Sequence, residues 1–178
     1  MQTTYNVNPA PAVAGMVVDS REGTVIISKL ASGAVPVGLA VAPATDPLTI
    51  PSLTGVATSP ANPGQVKAWP ASVTTDPVAL STFMGIPIYD SSRPPHDSSN
   101  SYSDKDYVPV LRKGVVWVNA EGAVTQFNDV YIRTATSGGF TTLGTFADGA
   151  GTGLCKLPNA RFLTSVGSGG GLVQVELI

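Results

Sequence analysis

Charge is scarce in this chain. Asp, Glu, Lys and Arg together make up 12% of its 178 residues, about half the share carried by an ordinary soluble domain. With 43% hydrophobic residues beside them, part of the surface has to be Ser, Thr, Ala, Gly or Pro. Such a surface is either neutral and solvated or hidden against neighbouring subunits, because interface cores are depleted in charge. The net charge is −2 and no cluster of Lys and Arg occurs, so the counterion release behind nucleic-acid affinity has little to act through. No nucleic-acid partner is expected. A single cysteine, Cys155, excludes an intramolecular disulfide, a redox pair and a zinc knuckle, and reads as a small buried apolar residue. Long hydrophobic runs are missing as well. The most apolar early stretch, 34–44, contains Pro36, Gly38 and Pro43 and falls well short of the roughly 20 residues that span a bilayer, so no membrane segment is expected. The opening Met1-Gln-Thr-Thr-Tyr-Asn-Val-Asn-Pro9 has neither the basic start nor the apolar core of a signal peptide, which predicts synthesis in the cytoplasm.

What the chain does contain is strand-forming residues punctuated by turn formers. Residues 1–15 hold Pro9, Pro11 and Gly15 with little apolar patterning, and proline pushes its predecessor toward extended geometry; they are expected to form an extended N-terminal arm. The remainder, 16–178, is expected to be a single all-β domain, whose length suffices to bury roughly 70% of its unfolded surface. Thr24–Leu30 alternates cleanly between two faces. Tyr107–Leu111 and Val115–Asn119 flank Arg112-Lys113-Gly114, which reads as a hairpin with a short polar turn. Further strands are expected at Asp129–Ala135, Phe140–Phe146, Arg161–Val166 and Leu172–Ile178, the last entered through the glycines of 168–171. One helical turn is expected from Asp76, with Pro77 at its first position, toward Phe83. The polar stretch 90–106 reads as a long exposed loop. Closely spaced strands without helical partners predict an antiparallel β-barrel or β-sandwich with at most one or two short helical turns.

Catalytic groups are nearly absent. His96, between Pro95 and Asp97, is the single histidine; no Gly-x-Ser-x-Gly elbow accompanies it, and it reads as a solvated loop residue. Asp104 and Asp106 stand two apart but lack the further oxygen ligands and fixed glycine of a calcium loop. Asp148-Gly-Ala-Gly-Thr-Gly-Leu-Cys-Lys156 fits neither phosphate-loop pattern: Leu154 stands where the dinucleotide motif needs glycine, and Pro158 opposes the helix that should follow. That stretch reads as a flexible turn. No enzyme, cofactor or metal site is expected. Trp117 lies in an apolar strand and reads as core, whereas Trp69, beside Pro70, reads as a contact residue.

The layout resembles the structural cement, or capsid decoration, proteins of tailed bacteriophages. The resemblance rests on the segment leading into Gly15-Met-Val-Val-Asp-Ser20, the strand Val25–Leu30 and the Pro36-Val-Gly38 turn. It continues through Phe83-Met-Gly-Ile-Pro-Ile88, Tyr107–Val118 and the Gly- and Thr-rich end closing in Leu172–Leu177. It implies a protein that binds the outside of a phage capsid and braces joints between major capsid protein subunits. It also implies a homo-oligomer, with a trimer favoured over a dimer, residing on the virion's outer surface after synthesis in the host cytoplasm. Tyr5, Asn6, Val7, Pro9 and Pro11 in the arm, together with Trp69, are the expected capsid or subunit contacts. A carbohydrate- or receptor-binding β-module on the virion is the alternative.

Overall fold

The structure is a computed structural model, describing residues 12–19, 23–45, 61–69, 83–90 and 100–178. Among these the regular elements are twelve strands, with no helix. In chain order they are β1 (Val17–Asp19), β2 (Val25–Ala31), β3 (Val35–Pro36), β4 (Val41–Thr45), β5 (Ala61–Ala68) and β6 (Ile86–Pro87). Then follow β7 (Ser101–Tyr102), β8 (Tyr107–Ala120), β9 (Asp129–Arg133), β10 (Phe146–Asp148), β11 (Leu154–Phe162) and β12 (Gly171–Leu177). The fold is all-β, as expected. The helical turn expected from Asp76 lies outside the described residues except at Phe83, and His96 lies outside them too. Within the polar stretch 90–106, β7 pairs with β3 and buries Tyr102.

One strand organises the rest. β8 carries five valines in fourteen residues, a β-branched content that favours a pleated, packed strand. It runs straight through Arg112-Lys113-Gly114, so the expected hairpin does not form. The physical reason is a bulge: Lys113 faces Val25 and Leu111 faces Ile26, leaving Arg112 without a partner in register. A bulge and a turn draw on the same residue signature, a polar pair followed by a glycine. Gly114 adopts φ 129, a backbone state that L side chains rarely take.

The pairings close two rings on this strand. In the first, the C-terminal half of β8 pairs with β12, β12 with β11, β11 with β9, β9 with β10, and β10 returns to β8 at Phe146 and Ala120. In the second, the N-terminal half of β8 pairs with β2, β2 with β5 and β5 with β4. Val41 then bridges to Gly85, and β6 returns to β8. Closure leaves few free edges, the usual solution for a small all-β protein. Two pairings, β2 with β5 and β10 with β8, are parallel; the others are antiparallel.

Each ring has its own core. Phe146, Phe162, Ile132, Val116, Val118, Val173 and Val175 fill the first, while Val35, Val41, Val66, Tyr102, Val108 and Val110 fill the second. The bulge at Arg112 is where β8 passes between them: Val108 and Val110 serve the second core, Leu111, Val116, Val118 and Ala120 the first. β4 is shared by alternation, with Val41 on one core and Ala42 on the other.

Candidate interaction surface

The chain is fastened where it enters the body. Gly15 N donates to Trp117 O at 2.7 Å, Trp117 N donates to Met16 O at 2.9 Å, and Tyr89 N donates to Gly15 O at 2.8 Å. Gly15 has φ 83, and a Cβ there would lie 2.1 Å from Val37 Cγ1; no other residue fits both conditions. Ala12 is buried just upstream. Residues 12–16 are therefore held at a fixed point beside β8.

Beside that point the surface is apolar. Val13, Met16, Val18, Val25 and Ile26 are half of the ten large hydrophobics exposed among the described residues, so exposed apolar surface is concentrated on β1 and the start of β2. Their backbone is also open on one side, since among the described residues β1 and the Val25–Ser28 part of β2 pair with β8 alone. An open edge beside apolar side chains can accept an extended segment by strand addition, the main chain giving affinity and the side chains specificity. Alternation in Thr24–Leu30 had marked two faces of this strand without indicating which one meets solvent.

Of the expected contacts, Tyr5, Asn6, Val7, Pro9 and Pro11 lie outside the described residues. Trp69 is only 4% exposed and packs in the first core, so its ring is not a surface platform. Its Nε1 has no hydrogen-bond partner among the described residues.

The groups weighed for chemistry have structural duties. Asp104 Oδ1 accepts from Gly33 N at 2.8 Å and Asp106 Oδ2 from Ser103 N at 2.8 Å, both carboxylates fastening turns. Among the described residues no group of three His, Cys, Asp or Glu side chains is placed to hold a metal ion. The glycine-rich stretch is shorter as a turn than expected, because β11 already begins at Leu154 and buries Cys155. Pro158 is tolerated in that strand because register shifts between Leu157 and Arg161, and a bulge has no need of the missing N–H. Among the described residues the most buried ion pair is that of Arg133 and Glu121, which is two-pronged. Arg133 also donates to Thr152 O at 2.9 Å, and Thr145 Oγ1 donates to Glu121 Oε2 at 3.0 Å. A buried pair satisfied in this way fixes geometry more than it adds stability. An arginine ending the apolar run Val130–Ile132 was the one sign of it in the sequence.

A search of curated proteins returns no match. Among solved structures, a chain from the capsid of Myoviridae phage XM1 shares the fold, with a TM-score of 0.69 at 16% identity over 99% of this chain and 96% of that one. The model of a family described as structural cement protein (E217 gp24/Pam3 gp6) matches residues 1–178. Since that match covers every residue, the chain belongs to the phage structural cement protein family.

Proposed function

We propose that this protein binds the outside of a phage capsid, lies across joints between major capsid protein subunits and holds them together without chemistry. The observation that carries this reading is the family match over residues 1–178. Physical reasoning supports it. A shell under internal pressure fails where subunits separate, and a ligand that binds only the joined arrangement stabilises it by mass action. Several attachments per particle add avidity, and a trimer of this chain would match local threefold joints. The low charge, 12%, suits surfaces that become interfaces. Its place is the virion's outer surface, reached after synthesis in the host cytoplasm.

Within this reading the arm reaches a neighbouring subunit or the capsid as an extended strand through residues 1–11, with Tyr5, Asn6, Val7, Pro9 and Pro11, since Ala12 and Gly15 are held by the body. The open edge of β1 and β2 adjoins its point of emergence. The test is co-sedimentation of the purified protein with expanded, empty heads of its phage. Deleting residues 1–11, which spares buried Ala12, is expected to leave thermal unfolding unchanged and to weaken head binding about tenfold or more. Undiminished binding by the deletion would remove the arm from the account. Failure of the intact protein to bind heads would remove the whole reading.

A further inference from the structure

Phe127 is the most exposed large hydrophobic among the described residues, at 66%, and its backbone is left-handed, with φ 70. The other described non-glycine residues with positive φ are Asn100, Lys105 and Asn159. Asparagine visits this region readily, whereas a bulky residue there is an outlier held by its surroundings. Here the surroundings hold it from both sides. Phe127 N donates to Phe162 O at 2.8 Å and Phe162 N donates to Asn128 O at 3.2 Å, tying the turn to β11. Gln126 N donates to Ser165 Oγ at 2.9 Å. Asp148 accepts from Thr125 N at 2.7 Å and, through both oxygens, from Asn128 Nδ2 at 2.9 and 3.0 Å. The turn is pinned at four consecutive residues, and what it presents is a phenyl ring in solvent.

Folding gives no reason for that ring. Glycine or asparagine would occupy the same backbone state with less strain, and neither would expose an aromatic surface. The other exposed aromatics differ: the Arg133 guanidinium lies 5.4 Å from the centre of the Phe140 ring, Tyr107 starts β8 in a strand position, and Tyr89 is less exposed and has its backbone bonded to Gly15. Around Phe127 the rim is polar, and its one carboxylate outside the printed ion pairs, Asp148, is occupied by Thr125 N and Asn128 Nδ2. Gln126, Asn128 and Ser165 are exposed, and the neighbouring charges pair with each other, Lys156 with Asp129 and Arg161 with Glu176, each at 2.6 Å. A rigid aromatic within a polar rim is how energetically dominant interface residues are arranged, and rigidity lowers the entropy lost on docking.

We propose that Phe127 is a preorganised anchor that seats in a neutral apolar socket on a folded protein partner, which in the cement reading is the major capsid protein. This inference rests on that reading and deepens it. A molecule that bridges a joint must grip two neighbours, and Phe127 supplies a grip on the first ring, apart in sequence from the arm and from the edge of β1 and β2.

The test uses the full chain with Phe127→Gly and Phe127→Asn, both of which accept left-handed backbone. Each variant is expected to unfold at a temperature equal to or above that of the parent, yet to bind empty heads about tenfold more weakly or worse. The parent's binding should change little on raising salt, because the neighbouring charges are paired or, at Asp148, spent on the turn's own N–H donors. Unaltered affinity in both variants overturns the proposal while leaving the cement reading intact, provided the parent binds. If instead the variants lose only self-association and still bind heads like the parent, the socket belongs to a second copy of this chain and the assignment to the capsid protein falls. Parent protein that ignores heads altogether sinks the cement reading first.

Discussion

The two rings are built on different plans. The first takes its strands in close succession, from β8 to β9, β10, β11 and β12, and fills its centre with Phe146, Phe162 and Ile132. The second collects β2, β4, β5 and β6 across the intervening stretches 46–60 and 70–82, and fills its centre mostly with valine and alanine. Short connections and large side chains let the first ring form from local contacts at small loop-closure cost. The second must gather strands farther apart in sequence around smaller side chains, which predicts that it depends on β8 already being in place. The contrast makes β8 the reason the pair behaves as one body.

The largest expected effect tests that dependence. Replacing Phe162 by alanine should cost about 3–5 kcal/mol, read as a lowered midpoint in calorimetry. Because β8 is common property, unfolding should stay a single transition, and the appearance of two would break the picture of coupled rings. A smaller effect is expected from Val66→Ala in the second core, about 2 kcal/mol for two lost methyl groups and the cavity they leave. It should lower the same transition, and a separate early melt would show that the second ring stands alone.

The smallest effect concerns Tyr102, whose hydroxyl donates to Ile88 O at 2.9 Å in a buried setting. Burial pushes the phenol's pKa above its ordinary value, so the folded state favours the neutral form. Its contribution is therefore complete below the ordinary tyrosine range and is lost as pH rises through the elevated folded value. Tyr102→Phe should cost about 1 kcal/mol at neutral pH. It should also reduce the fall in stability at strongly alkaline pH, measured as denaturant midpoints across that range. An unchanged alkaline slope would assign the loss to other groups.

Much of the fold was legible because alternation is a direct imprint of a half-buried strand. Thr24–Leu30 became β2 (Val25–Ala31), Asp129–Ala135 became β9 (Asp129–Arg133), and Leu172–Ile178 became β12 (Gly171–Leu177). Failures came where tertiary pairing overrode local signals. No strand was read at Ala61–Ala68, which contains Asn62-Pro63-Gly64, a turn signature, yet pairs with β4 and buries Val66. Phe140–Phe146 read as a strand, but Ser137 and Phe140 exchange backbone hydrogen bonds in a tight turn, and only Phe146 reaches β10. The interaction surface was harder still. Composition implied that some surface would be uncharged, but the adjacent exposure of Val25 and Ile26 departs from the alternation of faces expected along β2. Nothing in a linear sequence announces that Phe127 will have positive φ, because that angle is imposed by Asp148, Phe162 and Ser165 from elsewhere in the chain.

The shared strand also sets how the molecule would respond to being stretched. Tension drawn along β8 from one ring to the other meets an unbroken main chain, flanked by seven register pairs to β12 on one half and six to β2 on the other. Loaded lengthwise, such ladders slide as sets instead of peeling one bond at a time, so yielding requires many hydrogen bonds to fail together. The bulge at Arg112, where the ladder between β8 and β2 slips in register, is where extension should begin.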